Sequence, residues 1–187
     1  IPAYRRLISE FREKTARHPI AVLHAAQPYL VAALHEELGT PILVVVPTTE
    51  EAKDFYEQLL VWHSDTSRTL LFSKPDALPY ERLPADPLKE QQRLQVLAGL
   101  AEAQDNPKPD NQSLIVVSSA TALVRKTITP DEFRAACHSV KQGMKVAPLE
   151  LLTRWSSMGY ERADLVEAPG TMSHRGCILD VYSPNSE

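Results

Sequence analysis

Two short runs constrain this chain more than any other feature: PILVVV at residues 41–46 and SLIVV at residues 113–117. Both are unbroken strings of aliphatic, mostly β-branched side chains. They are too continuous for a strand with one wet face and far too short to cross a bilayer. Such runs fit strands buried on both faces of a parallel sheet, and parallel strands need a helical crossover between them.

The intervening segments supply those crossovers. PYLVAALHEELG reads as a helix with Pro28 in its first turn and Gly39 at its C-terminal cap. Thr48-Thr49-Glu50-Glu51 resembles a capping box, and it opens a helix that places Phe55, Leu59 and Trp62 on one face. IAVLHAA, beginning at Ile20, is expected as a strand before the first of these helices, and RTLLF as a third strand. The order is then βαβαβ, with SLIVVSS as a fourth strand and a right-handed parallel sheet as the economical topology. Ahead of it, Tyr4, Leu7, Ile8 and Phe11 recur at helical spacing in an amphipathic first helix.

The character changes at KPDALPYERLPADP, where Pro75, Pro79, Pro84 and Pro87 forbid regular structure and imply an ordered loop. LKEQQRLQVLAGLAEAQ follows as a helix with Leu94, Leu97 and Leu100 in phase, then a polar turn, DNPKPDNQ. SSATALVRK is expected as a short helix capped by Ser118 or Ser119, and PDEFRAAC as another beginning at Pro130. Near residues 139–146 the alternation of buried runs stops, so we divide the chain into an α/β domain over 1–140 and a small β-rich α+β module over 141–187. In the module, VKQGMKV reads as an isolated strand and PLELLTRWSSMG as a helix ending at Gly159. The rest reads as two extended arms joined in an antiparallel hairpin at Pro169-Gly170. About forty residues are too few for a core of their own, so this module is expected to be truncated.

The strand, connection and helix around residues 20–38 form the frame of a nucleotide site, which raises the question of chemistry. A phosphate-binding loop needs glycines that let backbone amides wrap an anion and a lysine to neutralise it. Here the connection is HAAQP, with side chains at Ala25, Ala26 and Gln27 and no lysine between Lys14 and Lys53. The buried runs also end in Pro, Thr and Ser rather than in an acidic residue that could hold Mg²⁺. The six histidines, at positions 18, 24, 35, 63, 138 and 174, show no HxxxH spacing, and no GxSxG is present. These absences argue against catalysis and against a cofactor or metal in this segment.

Composition narrows the remaining functions. A net charge of −4 with 6% aromatic residues provides neither a global basic field nor a stacking surface for nucleic acid. Cys137 and Cys177 lack a metal or disulfide pattern, which fits a reducing cytoplasm. The first residue is Ile1 rather than Met, as expected of a piece of a longer protein. An interaction surface remains as the best candidate. Arg162 and Arg175 fall on the two expected arms, with Glu161, Asp164 and Glu167 near them. They could pair a partner's carboxylates, or they could simply pair with one another's neighbours on a solvated face.

GYERADLVEAPGTMSHRGCILDVYSPNSE resembles the opening of the second module shared by bacterial transcription-repair coupling factors and the excision-repair protein UvrB, whose pattern runs GYER-x-D-x-V through RGGI-[LI]-D. LLFSKPDALPYERLPADPLKEQQRL and LIVVSSATALVRK are similar to other segments of that family, so the resemblance extends from about Pro19 onward. UvrB carries a working phosphate loop after its first strand and the coupling factors do not; HAAQPYLVAAL sides with the coupling factors. The resemblance implies a degenerate P-loop NTPase-like domain that presents the second module, with ATP and Mg²⁺ serving a motor outside this chain. It implies UvrA as partner, met at Arg162 and Arg175 with Glu161 and Tyr160. It also implies an intramolecular contact with the motor region that holds the protein inactive, and RNA polymerase and DNA reached through other regions. The chain departs from the pattern at Met172-Ser173-His174 and at Cys177, which replaces the usual second glycine, so its contact surface carries fewer arginines than that of UvrB. The alternatives are a UvrB-type ATP-dependent helicase subunit and a domain that touches DNA or RNA polymerase directly.

Overall fold

The computed structural model describes residues 2–15, 19–75, 86–105 and 113–184. The proline-rich loop at 76–85 and the polar turn at 106–112 lie outside the described residues. Its first layer contains helices α1 (Pro2–Arg12), α2 (Gln27–Leu38), α3 (Thr49–Trp62) and α4 (Pro87–Asp105), and strands β1 (Ile42–Val46), β2 (Thr69–Phe72) and β3 (Ile115–Ser119). The three strands are parallel in the order β1-β3-β2. Two short helices, α5 (Ala120–Leu123) and α6 (Pro130–Ala136), lead on to α7 (Pro148–Ser157) and a second sheet of β4 (Glu161–Arg162), β5 (Thr171–Arg175) and β6 (Ile178–Val181).

The sheet positions follow from the period-two alternation of strand side chains. Ile115 and Val117 of central β3, with Ile42, Val44 and Val46 of β1, face Ala32 of α2 and Ala52, Phe55 and Leu59 of α3. Val116 turns the other way, toward Leu70, Phe72 and Val96 of α4. Every residue of β3 is buried, as a continuous apolar run requires. Its two serines are satisfied: Ser118 donates to the Phe72 carbonyl at 3.1 Å, and Ser119 caps α5 by accepting from the Ala122 amide at 3.3 Å. The cap of α5 is therefore Ser119, not Ser118.

Caps end the helices where the residues call for them. The Thr48 hydroxyl accepts from the Glu51 amide at the head of α3, and Gly39 closes α2 in the left-handed conformation at φ 62°. At α6, Thr129 and Glu132 form a full capping box.

Four expectations need correction. Residues 20–23 form no strand. His24–Ala26 make a single 3₁₀ turn, closed by the Ala26 amide donating to the Leu23 carbonyl at 2.8 Å. IAVL has strand propensity, but a strand exists only with a ladder neighbour, and none of the described strands pairs with it. Second, β1 is not buried on both faces. Its register sets Leu43 and Val45 on the α4 side of the sheet, yet α4 packs over β2 and β3, leaving Leu43 and Val45 57% and 50% exposed. Third, the buried point of α4 is Val96, 1% exposed, rather than a leucine row, and Leu100 faces solvent. Gly99 explains the choice, because a Cβ there would lie 3.1 Å from Leu114. Last, residues 141–146 hold a turn with Gly143 at φ 86°, not a strand.

Leu59 is completely buried between α3 and the sheet. Leu59→Ala is expected to lower unfolding stability by about 2–5 kcal/mol, measured by urea denaturation, whereas Val61→Ala on the exposed side of the same helix should change it by less than about 0.5 kcal/mol.

Candidate functional site

Two places can be tested against the expected chemistry: the crevice at the head of α2 and the surface of the second sheet. The crevice has a volume of about 310 Å³ and lies where α2 begins and β1 ends, beside His24, Gln27 and Pro47. The first amides of α2 receive no side-chain cap, since Ala26 occupies the cap position. A free helix N-terminus favours an anion. The rest of the lining opposes one: among the described residues Glu51 and Asp54 of α3 border the same cavity, and no lysine or arginine does. A larger hollow of about 820 Å³ between α1 and α2 is lined by Leu7, Ile20, Tyr29 and Leu30, with Arg6 and Glu10 paired to each other at 2.9 Å on its margin.

The second sheet is built on α7. Leu151, Leu152 and Trp155 pack against Met172, which is fully buried, with Tyr160 and Leu179 at the border. Pro148 opens α7, and Gly159 at φ 95° ends it, turning the chain directly into β4. The Tyr160 amide donates back to the Trp155 carbonyl at 3.0 Å, and the two rings stand 6.3 Å apart.

The hairpin differs from the one expected. β4 and β5 are parallel, connected by residues 163–170, and the antiparallel pair is β5 with β6, turning at Gly176-Cys177 with Gly176 at φ 63°. Pro169-Gly170 does turn, with Gly170 at φ 80°, but it leads a loop into β5 rather than joining two antiparallel arms. Gly170 is fixed at both edges: its carbonyl accepts from the Glu161 amide at 2.9 Å, and its amide donates to the Tyr182 carbonyl at 2.8 Å. The physical reason is one of available edges. Thr171–Arg175 lies in the middle of the sheet, and β6 takes the antiparallel side that a two-residue turn can reach.

This register separates the two arginines. Glu161 stands opposite Thr171, whose face of the sheet also carries Ser173 and Arg175, whereas Arg162 stands opposite Met172, on the face that carries His174. Arg162 and Arg175 thus occupy opposite faces, about 10 Å apart along the strand direction. Both are exposed. Arg175 is paired within the module: its Nη2 donates to Asp180 Oδ2 at 2.5 Å across the β5–β6 hairpin. Among the described residues Arg162 makes no such pair, so its guanidinium is the free cation of the expected set. Tyr160 is half-buried against Trp155, and Glu161 is exposed. Asp180 was not among the expected residues; RGCILD carried the signal, since a tight turn at Gly176-Cys177 puts Arg175 and Asp180 on one face. Among the described residues no group of three or more His, Cys, Asp or Glu could hold a metal ion.

The sequence signature of the UvrB interaction domain family matches residues 139–187. The chain is similar to the transcription-repair-coupling factor of Bacillus subtilis (strain 168), at 27% identity over 186 residues, and to that of Myxococcus xanthus, at 30% over 187 residues. These alignments cover 98% and 97% of the chain. It is also 23% identical over its whole length to UvrABC system protein B of Yersinia pestis bv. Antiqua (strain Antiqua). The chain spans 15% of the length of each of those coupling factors and 28% of the UvrABC protein. Resemblance to the coupling factors, and more distantly to UvrB, therefore runs through both sheets.

The Arg175–Asp180 pair is solvent-exposed, with side chains 64% and 38% accessible. Arg175→Ala is expected to change unfolding stability by less than about 1 kcal/mol, read from the midpoint of chemical denaturation, which leaves this residue open to substitution in binding assays.

Proposed function

We propose that this chain is the N-terminal docking portion of a transcription-repair coupling factor in nucleotide-excision repair, and that it recruits UvrA without performing catalysis itself. The observation that carries the proposal is the match of residues 139–187 to the UvrB interaction domain in a chain similar along its length to coupling factors. In this reading UvrA meets the surface carrying Arg162, Arg175, Glu161 and Tyr160. Arginine suits such contacts because its planar fork pairs carboxylates in a fixed geometry. Arg162 is available as it stands, whereas Arg175 must exchange Asp180 for a partner group or act together with it as a pair.

The α/β layer is, in the same reading, a degenerate nucleotide-binding frame. The acidic Glu51 and Asp54 at the head of α2 support it, since they repel the phosphates that a lysine would attract. The frame keeps its packing and serves as a scaffold for the second module. ATP and Mg²⁺ then belong to a translocase motor elsewhere in such a protein, as do the contacts with RNA polymerase and DNA. Docking of the same module surface on the motor region holds the protein inactive until UvrA is needed, and the protein works in the cytoplasm. Among the described residues no helix is long and apolar enough to cross a membrane.

The similarity to UvrABC system protein B supports a second reading, a UvrB-type ATP-dependent subunit. It differs in requiring nucleotide at the head of α2. A ligand at a hundredfold excess over its dissociation constant stabilises the native state by about 2.7 kcal/mol. The docking proposal expects no change in melting midpoint with millimolar Mg·ATP; an upward shift of several degrees would establish the second reading instead.

Binding to UvrA is the direct test. Arg162→Glu combined with Arg175→Glu is expected to weaken capture of purified UvrA by at least about thirtyfold, the effect of losing one interface hot spot of about 2 kcal/mol, while circular dichroism stays unchanged. Capture of UvrA by the double variant at wild-type affinity would reject the assigned surface.

A further inference from the structure

The end of the β5–β6 hairpin gathers a cation, an anion and an apolar side chain on one face. The antiparallel register sets Arg175 opposite Ile178 and Ser173 opposite Asp180, so these residues share the face opposite to that of Met172. Ile178 is 61% exposed between the two charged residues. Arg175 reaches diagonally along β6, where its Nη2 donates to Asp180 Oδ2 at 2.5 Å.

This pair does little for folding. Its side chains are accessible enough to fall among the surface ion pairs that contribute weakly to stability. What it fixes is direction. An unrestrained arginine beside a turn samples many rotamers, and an interface that uses it must suppress that freedom. Asp180 is short, and its strand is held firmly: β6 pairs with central β5, the neighbouring Leu179 packs on the α7 core, and the Tyr182 amide donates to the Thr171 carbonyl at 3.0 Å. A short side chain on a fixed strand thus holds a long one in place.

Nor does the contact exhaust either group. A guanidinium carries several N–H donors and a carboxylate several lone pairs. Among the described residues no other hydrogen bond or ion pair engages Arg175 or Asp180. A partner's carboxylate can therefore take the remaining N–H groups with Asp180 still in place. Displacing Asp180 would be costlier, because it would leave one carboxylate without a counter-charge beside another in a contact from which water is withdrawn.

We propose that Asp180 is a positioning residue for partner binding, which holds the Arg175 guanidinium ready and stays paired with it when a partner's carboxylate docks beside Ile178. The proposal rests on the reading of this sheet as the UvrA surface. It adds to Arg162, Arg175, Glu161 and Tyr160 a residue that acts through one of them.

The test is a double-mutant cycle in the affinity of this chain for purified UvrA, with Arg175→Ala, Asp180→Asn and the two combined, and the urea midpoint of each variant measured alongside. Asp180→Asn keeps the shape of the side chain and removes its charge. It is expected to weaken binding by about three- to tenfold, the scale of ordering one long side chain at an interface, with a midpoint like that of the wild type. In the Arg175→Ala background the same substitution should change the affinity by less than about twofold, since no guanidinium remains to be positioned. Binding by Asp180→Asn at or above wild-type affinity overturns the proposal. So does an equal loss in both backgrounds, which would mark Asp180 as a contact or a structural residue in its own right; a variant that loosened the fold would show itself in the same way. If Arg175→Ala binds at wild-type affinity, the assigned surface falls and takes the proposal with it. If Arg175→Ala weakens binding and Asp180→Asn does not, the proposal alone falls.

Discussion

The first layer depends on burial of β3 from both sides. Its five residues are sealed by α2 and α3 on one face and α4 on the other, and its backbone pairs with β1 on one edge and β2 on the other. A strand placed in this way leaves no polar group unpaired, provided that its side chains are apolar or, as with Ser118 and Ser119, supplied with partners. Everything near it inherits its position: the helix caps at Thr48 and Gly39, the short helix begun by Ser119, and the buried contact of His35 with His63 at its base.

The second layer is held differently. Among the described residues its core is Leu151, Leu152, Trp155 and Met172, with Tyr160 and Leu179 at the border. That is little apolar area for an independent unit, so backbone bonding at Gly170 and the turn at Gly176 carry much of its definition. The consequence for function is that its exposed polar side chains stand on a thin, well-registered sheet, one face of which packs on α7 through Met172. Alternation then distributes the arginines to opposite faces, and a partner that used both would have to grip the sheet around an edge.

The head of α2 has no side-chain cap, and among the described residues Glu51 and Asp54, not a cation, border it. The packing of α2 against α3 and the sheet does not need an anion, because Ala32, Ala52, Phe55 and Leu59 supply the contact.

By itself the sequence determined the elements whose signal is local: the apolar runs of β1 and β3, the helices between them, the caps at Thr48 and Gly39, the end of α7 at Gly159, and the absence of glycines and lysine at HAAQP. These follow from side-chain period, backbone freedom and hydrogen-bonding groups within a few residues of one another. Only the tertiary structure decided which segments with strand propensity found a ladder neighbour. IAVL found none among the described strands, Leu43 and Val45 lie beyond the reach of α4, and Thr171–Arg175 paired forward with β6 rather than backward across Pro169-Gly170. The pairing of Arg175 with Asp180 and of His35 with His63 belongs to the same class, because residues close in space but set by register or by separate helices leave no periodic trace in the chain. Strand pairing and buried polar contact are satisfied between segments, and their partners are fixed only when the whole layer has assembled.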